Sequence, residues 1–230
     1  EGCPCGATHR VPTRHIDAET GAAGRIDRAA ALLGTRGRLL LIEDENTRAA
    51  AGDRVVEALR GAGYADIVRL EIGTPGHPPH ADGDTVDRVS QRLKSASARG
   101  VVAVGSGTIN DVAKSASTAA GIPLMTVATA ASMNGYTSAI SALTMDGVKI
   151  TAPVEPPVAL VADPDILATA PKRMNAAGFG DLLSKNASGA DWIAGKVLMD
   201  EYYCDVPAKL VDAADRKSTR LKSSHRIRSR

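Results

Sequence analysis

Residues Val101 to Lys114 read V-V-A-V-G-S-G-T-I-N-D-V-A-K, an apolar strand that runs through a glycine turn into a helix. The first backbone N–H groups of such a helix have no intrahelical partner and lie at the positive end of its dipole, so a diphosphate fits there. Gly105 and Gly107 would let the main chain approach a phosphate with no Cβ in the way. The turn departs from the usual dinucleotide fingerprint, since Asn110 stands where the third glycine belongs, and no Lys-Ser/Thr pair stands at the place a P-loop requires. Taken alone, the turn is as readily a structural connection as a phosphate cradle.

Three further stretches carry groups able to do chemistry. In Leu41-Ile42-Glu43-Asp44-Glu45-Asn46-Thr47 an apolar strand is closed by polar residues. An acid at a strand's carboxyl end can accept from a ribose diol and repel a 2′-phosphate, while Asp44 suits a helix N-cap equally well. Thr129-Ala130-Ala131-Ser132-Met133-Asn134-Gly135-Tyr136-Thr137-Ser138 sets small hydroxylated residues after another strand, facing the usual ligand crevice of an open α/β sheet. Without other information this stretch is a polar loop. In Gly178-Phe179-Gly180-Asp181-Leu182-Leu183-Ser184-Lys185 a carboxylate between glycines could ligate a metal or cap a helix.

Cys3-Pro4-Cys5 with His9 has only one residue between its cysteines, and zinc knuckles usually have two to four. With no second ligand pair following, it reads as a redox-inert terminal segment, and Cys204 as a packing residue. Trp192, the one tryptophan, reads as an anchor of the helical part.

Alternating strands and helices must position these groups. Apolar runs at 38–42, 66–70, 101–104 and 122–128 read as strands, with helices at 22–33, 49–59, 85–98 and 109–119 between them. Later strands are read at 148–151 and 158–162, and helices without strands over 174–209. The pattern predicts an α/β fold, with a Rossmann-like parallel sheet joined by right-handed crossovers and followed by the start of an all-helical domain. The expected division is a nucleotide-binding domain over 1–168, the incomplete beginning of a helical metal-binding domain over 169–215, and a basic tail over 216–230. That tail holds seven of the 28 Lys and Arg and no acid, and the remainder carries a balance of −5. It reads as a non-native end, so nucleic acid is not expected as a partner. The 43% hydrophobic and 23% charged composition excludes wholesale disorder, and no apolar run is long enough for a membrane helix. Three cysteines favour a reducing compartment, hence a cytoplasmic location.

D-E-N-T, G-S-G-T-I-N-D-V-A-K, T-A-A-S-M-N-G-Y-T-S and G-F-G-D-L-L-S-K…D-W resemble, in order and spacing, sn-glycerol-1-phosphate dehydrogenases, which belong with the iron-containing alcohol dehydrogenases, glycerol dehydrogenase and dehydroquinate synthase. The resemblance implies NAD or NADP as coenzyme, one divalent metal (Zn, with Ni or Fe as alternatives) and a triose or glycerol phosphate substrate. A homo-oligomeric parent would be compatible with it. It further implies Asp44 on the adenosine ribose, Gly105, Ser106, Gly107, Thr108 and Ile109 around the diphosphate, and Thr129, Ser132 and Ser138 on the nicotinamide half. Asp181 would be a metal ligand touching substrate. Asn134 stands where the family has a substrate-binding Asp, which admits a non-phosphorylated polyol such as glycerol. The family's two metal-binding His have no counterpart in this chain, so the resemblance implies an inactive fragment. A non-catalytic nucleotide-binding fragment is the rival reading.

Overall fold

The computed structural model describes residues 2–74 and 76–227, with side-chain surroundings through residue 216. The run 217–230, most of the basic tail expected from the sequence, lies outside those side-chain descriptions. Two compact units result: Val11–Asn175, and a second made of Glu1–Arg10 with Ala176–Arg230.

The first unit is built on a six-stranded, all-parallel sheet. Its strands are β1 (His15–Asp17), β2 (Leu39–Glu43), β3 (Ile67–Glu71), β4 (Gly100–Gly105), β5 (Leu124–Ala128) and, after the hairpin described below, β8 (Ala159–Val161). Their order in the sheet is β1-β8-β5-β4-β2-β3. Strands β2, β4 and β5 are buried along their whole length, which is why they read as unbroken apolar runs. Within each run the pleat still sorts side chains. Leu39, Leu41, Val102, Val104, Met125 and Val127 face one layer, and Leu40, Ile42, Val101, Ala103 and Leu124 face the other.

Helices α1 (Asp27–Ala31) and α3 (Asp53–Gly61) cover the first face through Ala29, Ala30, Val55 and Leu59. Helices α4 (Gly83–Ser95) and α5 (Gly107–Ala120) cover the second through Val89, Leu93, Ile109 and Val112. The chain leaves β2 toward β3 on one side, then returns past β2 to β4 on the other. Right-handed crossovers that advance in opposite directions place their helices on opposite faces. A crevice therefore opens where the direction reverses, at the carboxyl ends of β2 and β4.

Several details differ from the sequence reading. Residues 22–33 form a 3₁₀ turn (Ala22–Gly24) and the short α1 in place of one helix. An unforeseen strand, β6 (Ile140–Met145), pairs antiparallel with β7 (Val148–Pro153) around Asp146-Gly147, both at positive φ. Such a two-residue turn matches the twist of paired strands. Glu43, read as part of the polar close of its strand, is the last residue of β2 and fully buried. Its Oε1 lies 2.6 Å from Arg69 Nε on the neighbouring strand. Burial pushes the Glu43 carboxyl up and Arg69 opposes that shift. The helix that follows widens into a π-turn, Arg48–Gly52, directly over this pair. A Cβ at Gly52 would come within 2.1 Å of Glu43 Oε2 and 2.9 Å of an Arg69 guanidinium nitrogen, so a larger residue there would displace this pair.

The second unit takes in α7 (Lys172–Met199) from Ala176 onward and α8 (Asp205–Ile227), separated by a break at 200–204; α6 (Pro164–Thr169) belongs to the first unit. Trp192, half-buried, packs tilted against Tyr203 with ring centroids 4.7 Å apart and donates its indole N–H to the Tyr202 carbonyl at 2.7 Å, which holds the break.

Candidate functional site

The crevice is a cleft of about 440 Å³ whose walls include Asp44, Asn46, Ser106, Thr108, Ile109 and Thr129. Each follows from local folding. Asp44 leaves β2 in extended conformation and caps α2 (Glu45–Thr47), accepting from the Thr47 N–H at 2.8 Å, while Thr47 Oγ1 accepts from the Asp44 N–H at 2.9 Å. Only Oδ1 takes part in this capping box. The two readings of Asp44 are thus compatible, since the residue caps a helix and lines the cleft.

Across the cleft, β4 ends at Gly105 and α5 begins at Gly107, with Ser106 between them offering no side-chain cap. The helix is therefore left to satisfy its first N–H groups from outside. The two glycines differ in kind. A Cβ on Gly105 would meet Ile109 Cβ at 2.6 Å, so that glycine lets strand and helix pack. A Cβ on Gly107 would have only Met133 Sδ, at 3.8 Å, nearby, so that glycine leaves open space. Main-chain N–H groups beside unfilled space at a helix start are what an anionic group needs.

Asn110 is fully buried and ties α5 to the sheet, its Oδ1 accepting from Thr126 Oγ1 at 2.9 Å. Here the position that carries the third glycine of the usual fingerprint serves as a helix-to-strand clamp. Sequence reasoning also missed Lys114. Wholly buried, it places Nζ 3.0 Å from Asp111 Oδ1 and donates to Ser138 Oγ at 3.2 Å and the Ile140 carbonyl at 2.5 Å. This hub pins the 129–140 loop to α5. Ser138 is engaged in it, its hydroxyl also 2.9 Å from the Gly135 carbonyl. The Tyr136 hydroxyl donates to the Ala130 carbonyl at 2.6 Å and is hydrogen-bonded with Ser132. Asn134 is exposed just before the 3₁₀ turn Gly135–Thr137.

Of the residues expected at a coenzyme site, Asp44, Ser106, Thr108, Ile109 and Thr129 line one cleft. Gly105 and Gly107 frame it, and Ser132 and Ser138 hold the adjoining loop. Asp181 belongs to the second unit. It lies in the interior of α7 and pairs with Lys185 one turn on, at 3.2 Å.

Residues 18–171 match the family described as iron-containing alcohol dehydrogenase. The chain belongs to that family. It is 37% identical over 177 residues to a glycerol-1-phosphate dehydrogenase [NAD(P)+] of Bacillus velezensis, covering 76% of this chain and 44% of that protein. To the enzyme of the same name from Methanothrix thermoacetophila it is 34% identical over 198 residues, covering 86% and 54%. Among solved structures, a probable glycerol dehydrogenase from Sinorhizobium meliloti 1021 superposes with a TM-score of 0.66 at 26% identity, covering 80% of this chain and 48% of that one. The glycerol dehydrogenase of Schizosaccharomyces pombe, with a TM-score of 0.68 at 20% identity, shares the fold. The chain spans about half the length of the curated relatives it matches.

The family name implies a metal, and the residues around Asp181 do not fit one. Among the described residues, the sole group of three or more His, Cys, Asp or Glu close enough to share an ion lies elsewhere and excludes Asp181. A catalytic metal normally needs three protein ligands. Among the described residues, no helix is long and apolar enough to cross a membrane.

Proposed function

We propose that the chain is the coenzyme-binding part of a NAD(P)-dependent dehydrogenase interconverting dihydroxyacetone phosphate and sn-glycerol 1-phosphate. One observation carries the reading: Asp44 and the uncapped start of α5 face a common cleft at the point where the strand order reverses. The diphosphate lies on the N–H groups of Gly107, Thr108 and Ile109, with Ser106 beside it. Asp44 accepts from the adenosine ribose through the carboxylate oxygen its capping box leaves over. Thr129 stands toward the nicotinamide half, and Ser132 and Ser138 keep the loop there in shape through Tyr136 and Lys114. The nicotinamide, when bound, supplies or receives the hydride; the residues named here bind and orient it. The names of the relatives support the substrate assignment.

Among the described residues no three-ligand set forms around Asp181, so this chain is expected to bind coenzyme without turning over. The test is NADH and NADPH titration by nicotinamide fluorescence, together with dihydroxyacetone phosphate reduction in excess Zn²⁺ or Ni²⁺. Both are run on this chain and on a fusion to the remaining C-terminal part of the Bacillus velezensis relative. Coenzyme binding with turnover by the fusion alone is expected; turnover by the chain itself would defeat the metal argument. Asn134 favours a second reading, since an amide in place of a carboxylate changes what the substrate meets. Faster oxidation of glycerol than of sn-glycerol 1-phosphate by the fusion would select it.

A further inference from the structure

The second unit brings together the four residues that sequence spacing left apart. Cys3 and Cys204, 201 positions apart, place their Sγ atoms 3.5 Å from each other, and Cys5 Sγ lies 3.3 Å from His9 Nε2. All four ligand atoms lie within 4.8 Å of one another. From these contacts we infer that Cys3, Cys5, His9 and Cys204 form a structural Zn²⁺ site, separate from the coenzyme cleft and from Asp181.

The distances suit such an ion. With Zn–S near 2.3 Å and Zn–N near 2.0–2.1 Å in a tetrahedron, two sulfurs stand about 3.8 Å apart and a sulfur and a nitrogen about 3.6 Å. Those two pairs lie within about 0.3 Å of these edges and the remaining pairs within 4.8 Å, whereas a disulfide needs sulfurs at about 2.05 Å. The backbone also suits it. The Cys3 carbonyl accepts from the Gly6 N–H at 2.9 Å, and Gly6 takes φ +81°, closing a turn that turns both thiols to one side. This turn answers the spacing objection, because the third and fourth ligands come from His9 and from the break between α7 and α8. The Tyr202 hydroxyl, 3.2 Å from Cys5 Sγ and 3.5 Å from His9 Nε2, supplies an outer hydrogen-bonding partner. Four protein ligands leave no open position, so the role is structural. Binding releases the three thiol protons to solvent and leaves the site with a net charge of −1. The ion would tie residues 3–9 to the break at 200–204, where the α7–α8 link is otherwise held by Trp192.

The test uses the full chain, reduced, loaded with Zn²⁺ and desalted. The expected result is about one zinc per chain, with three thiols shielded from a thiol reagent until a chelator is added. Substitution by Co²⁺ should give the intense visible bands of a tetrahedral ion and thiolate-to-cobalt charge transfer. Cys5→Ser and the exposed His9→Ala should each weaken binding at least tenfold, Tyr202→Phe by about 10–100-fold, and Asp181→Ala not at all. The thiol-protection measurement on the unmodified chain stands even if a variant fails to fold. Thiols equally reactive with and without zinc would overturn the site, as would zinc retained by Cys5→Ser and His9→Ala but lost on Asp181→Ala. A Cys3–Cys204 disulfide forming in the presence of zinc would overturn it too.

Discussion

The two glycines of the β4–α5 turn should fail in opposite ways. In Gly105→Ala the new Cβ starts 2.6 Å from Ile109 Cβ and 2.5 Å from its Cδ1, and ordinary contact begins at 3.4 Å. The nearer methyl could rotate, but Cβ is fixed to the backbone and a β-branched side chain in a helix has one favoured rotamer. The first turn of α5 must therefore retreat by about 0.8 Å from a fully packed layer. Overpacking of this kind costs about 1–3 kcal/mol, at roughly 2–4 °C of melting temperature per kcal/mol for a domain this size. Gly107 has negative φ and only Met133 Sδ at 3.8 Å, so Gly107→Val should leave the melting temperature nearly unchanged. Its branched side chain would instead stand where the diphosphate approaches. Losing one hydrogen bond to a charged group is worth about 1.5–3 kcal/mol, or roughly 10–150-fold in dissociation constant. Circular dichroism melts and NADH fluorescence titrations of both variants separate the two effects. Wild-type NADH affinity in a folded Gly107→Val protein would refute the cradle, and an unchanged melt for Gly105→Ala would refute the packing argument.

Asp44→Asn keeps a good N-cap and removes the charge, so NADPH affinity should rise relative to NADH with little change in stability; an unchanged ratio in parallel titrations would disprove the ribose contact. Asp82 caps α4 by accepting from the Thr85 N–H at 2.9 Å, and that bond holds its carboxyl below the ordinary 3.8. Asp82→Ala should therefore cost about 1 kcal/mol above pH 4, and the cost should fade as pH drops through the folded-state value, as urea melts at several pH values would reveal. Lys114→Ala leaves half-buried Asp111 with the Ala142 N–H and unpins the 129–140 loop, at a cost of about 1.5–3 kcal/mol measured by chemical denaturation.

What the sequence determined by itself is local or periodic. The apolar runs of β2, β4 and β5, the strand–glycine–helix unit at 101–114 and the N-capping capacity of Asp44 are written in neighbouring residues, because burial on both faces, turn geometry and capping act over a few positions. Their alternation with helices was enough to expect a parallel sheet. Tertiary structure decided what depends on partners far along the chain. Glu43 looks like a strand's polar end until Arg69 arrives from β3 to neutralise it. Lys114 looks like one more helical lysine until the 129–140 loop closes over it with two carbonyls and a hydroxyl. Ala159–Val161 inserts between β1 and β5, a position no local pattern encodes. Cys204 reads as packing until the fold carries it 201 residues back to Cys3. In each case a lone polar or sulfur-bearing group acquires its meaning from a partner, and only the folded chain supplies the partner.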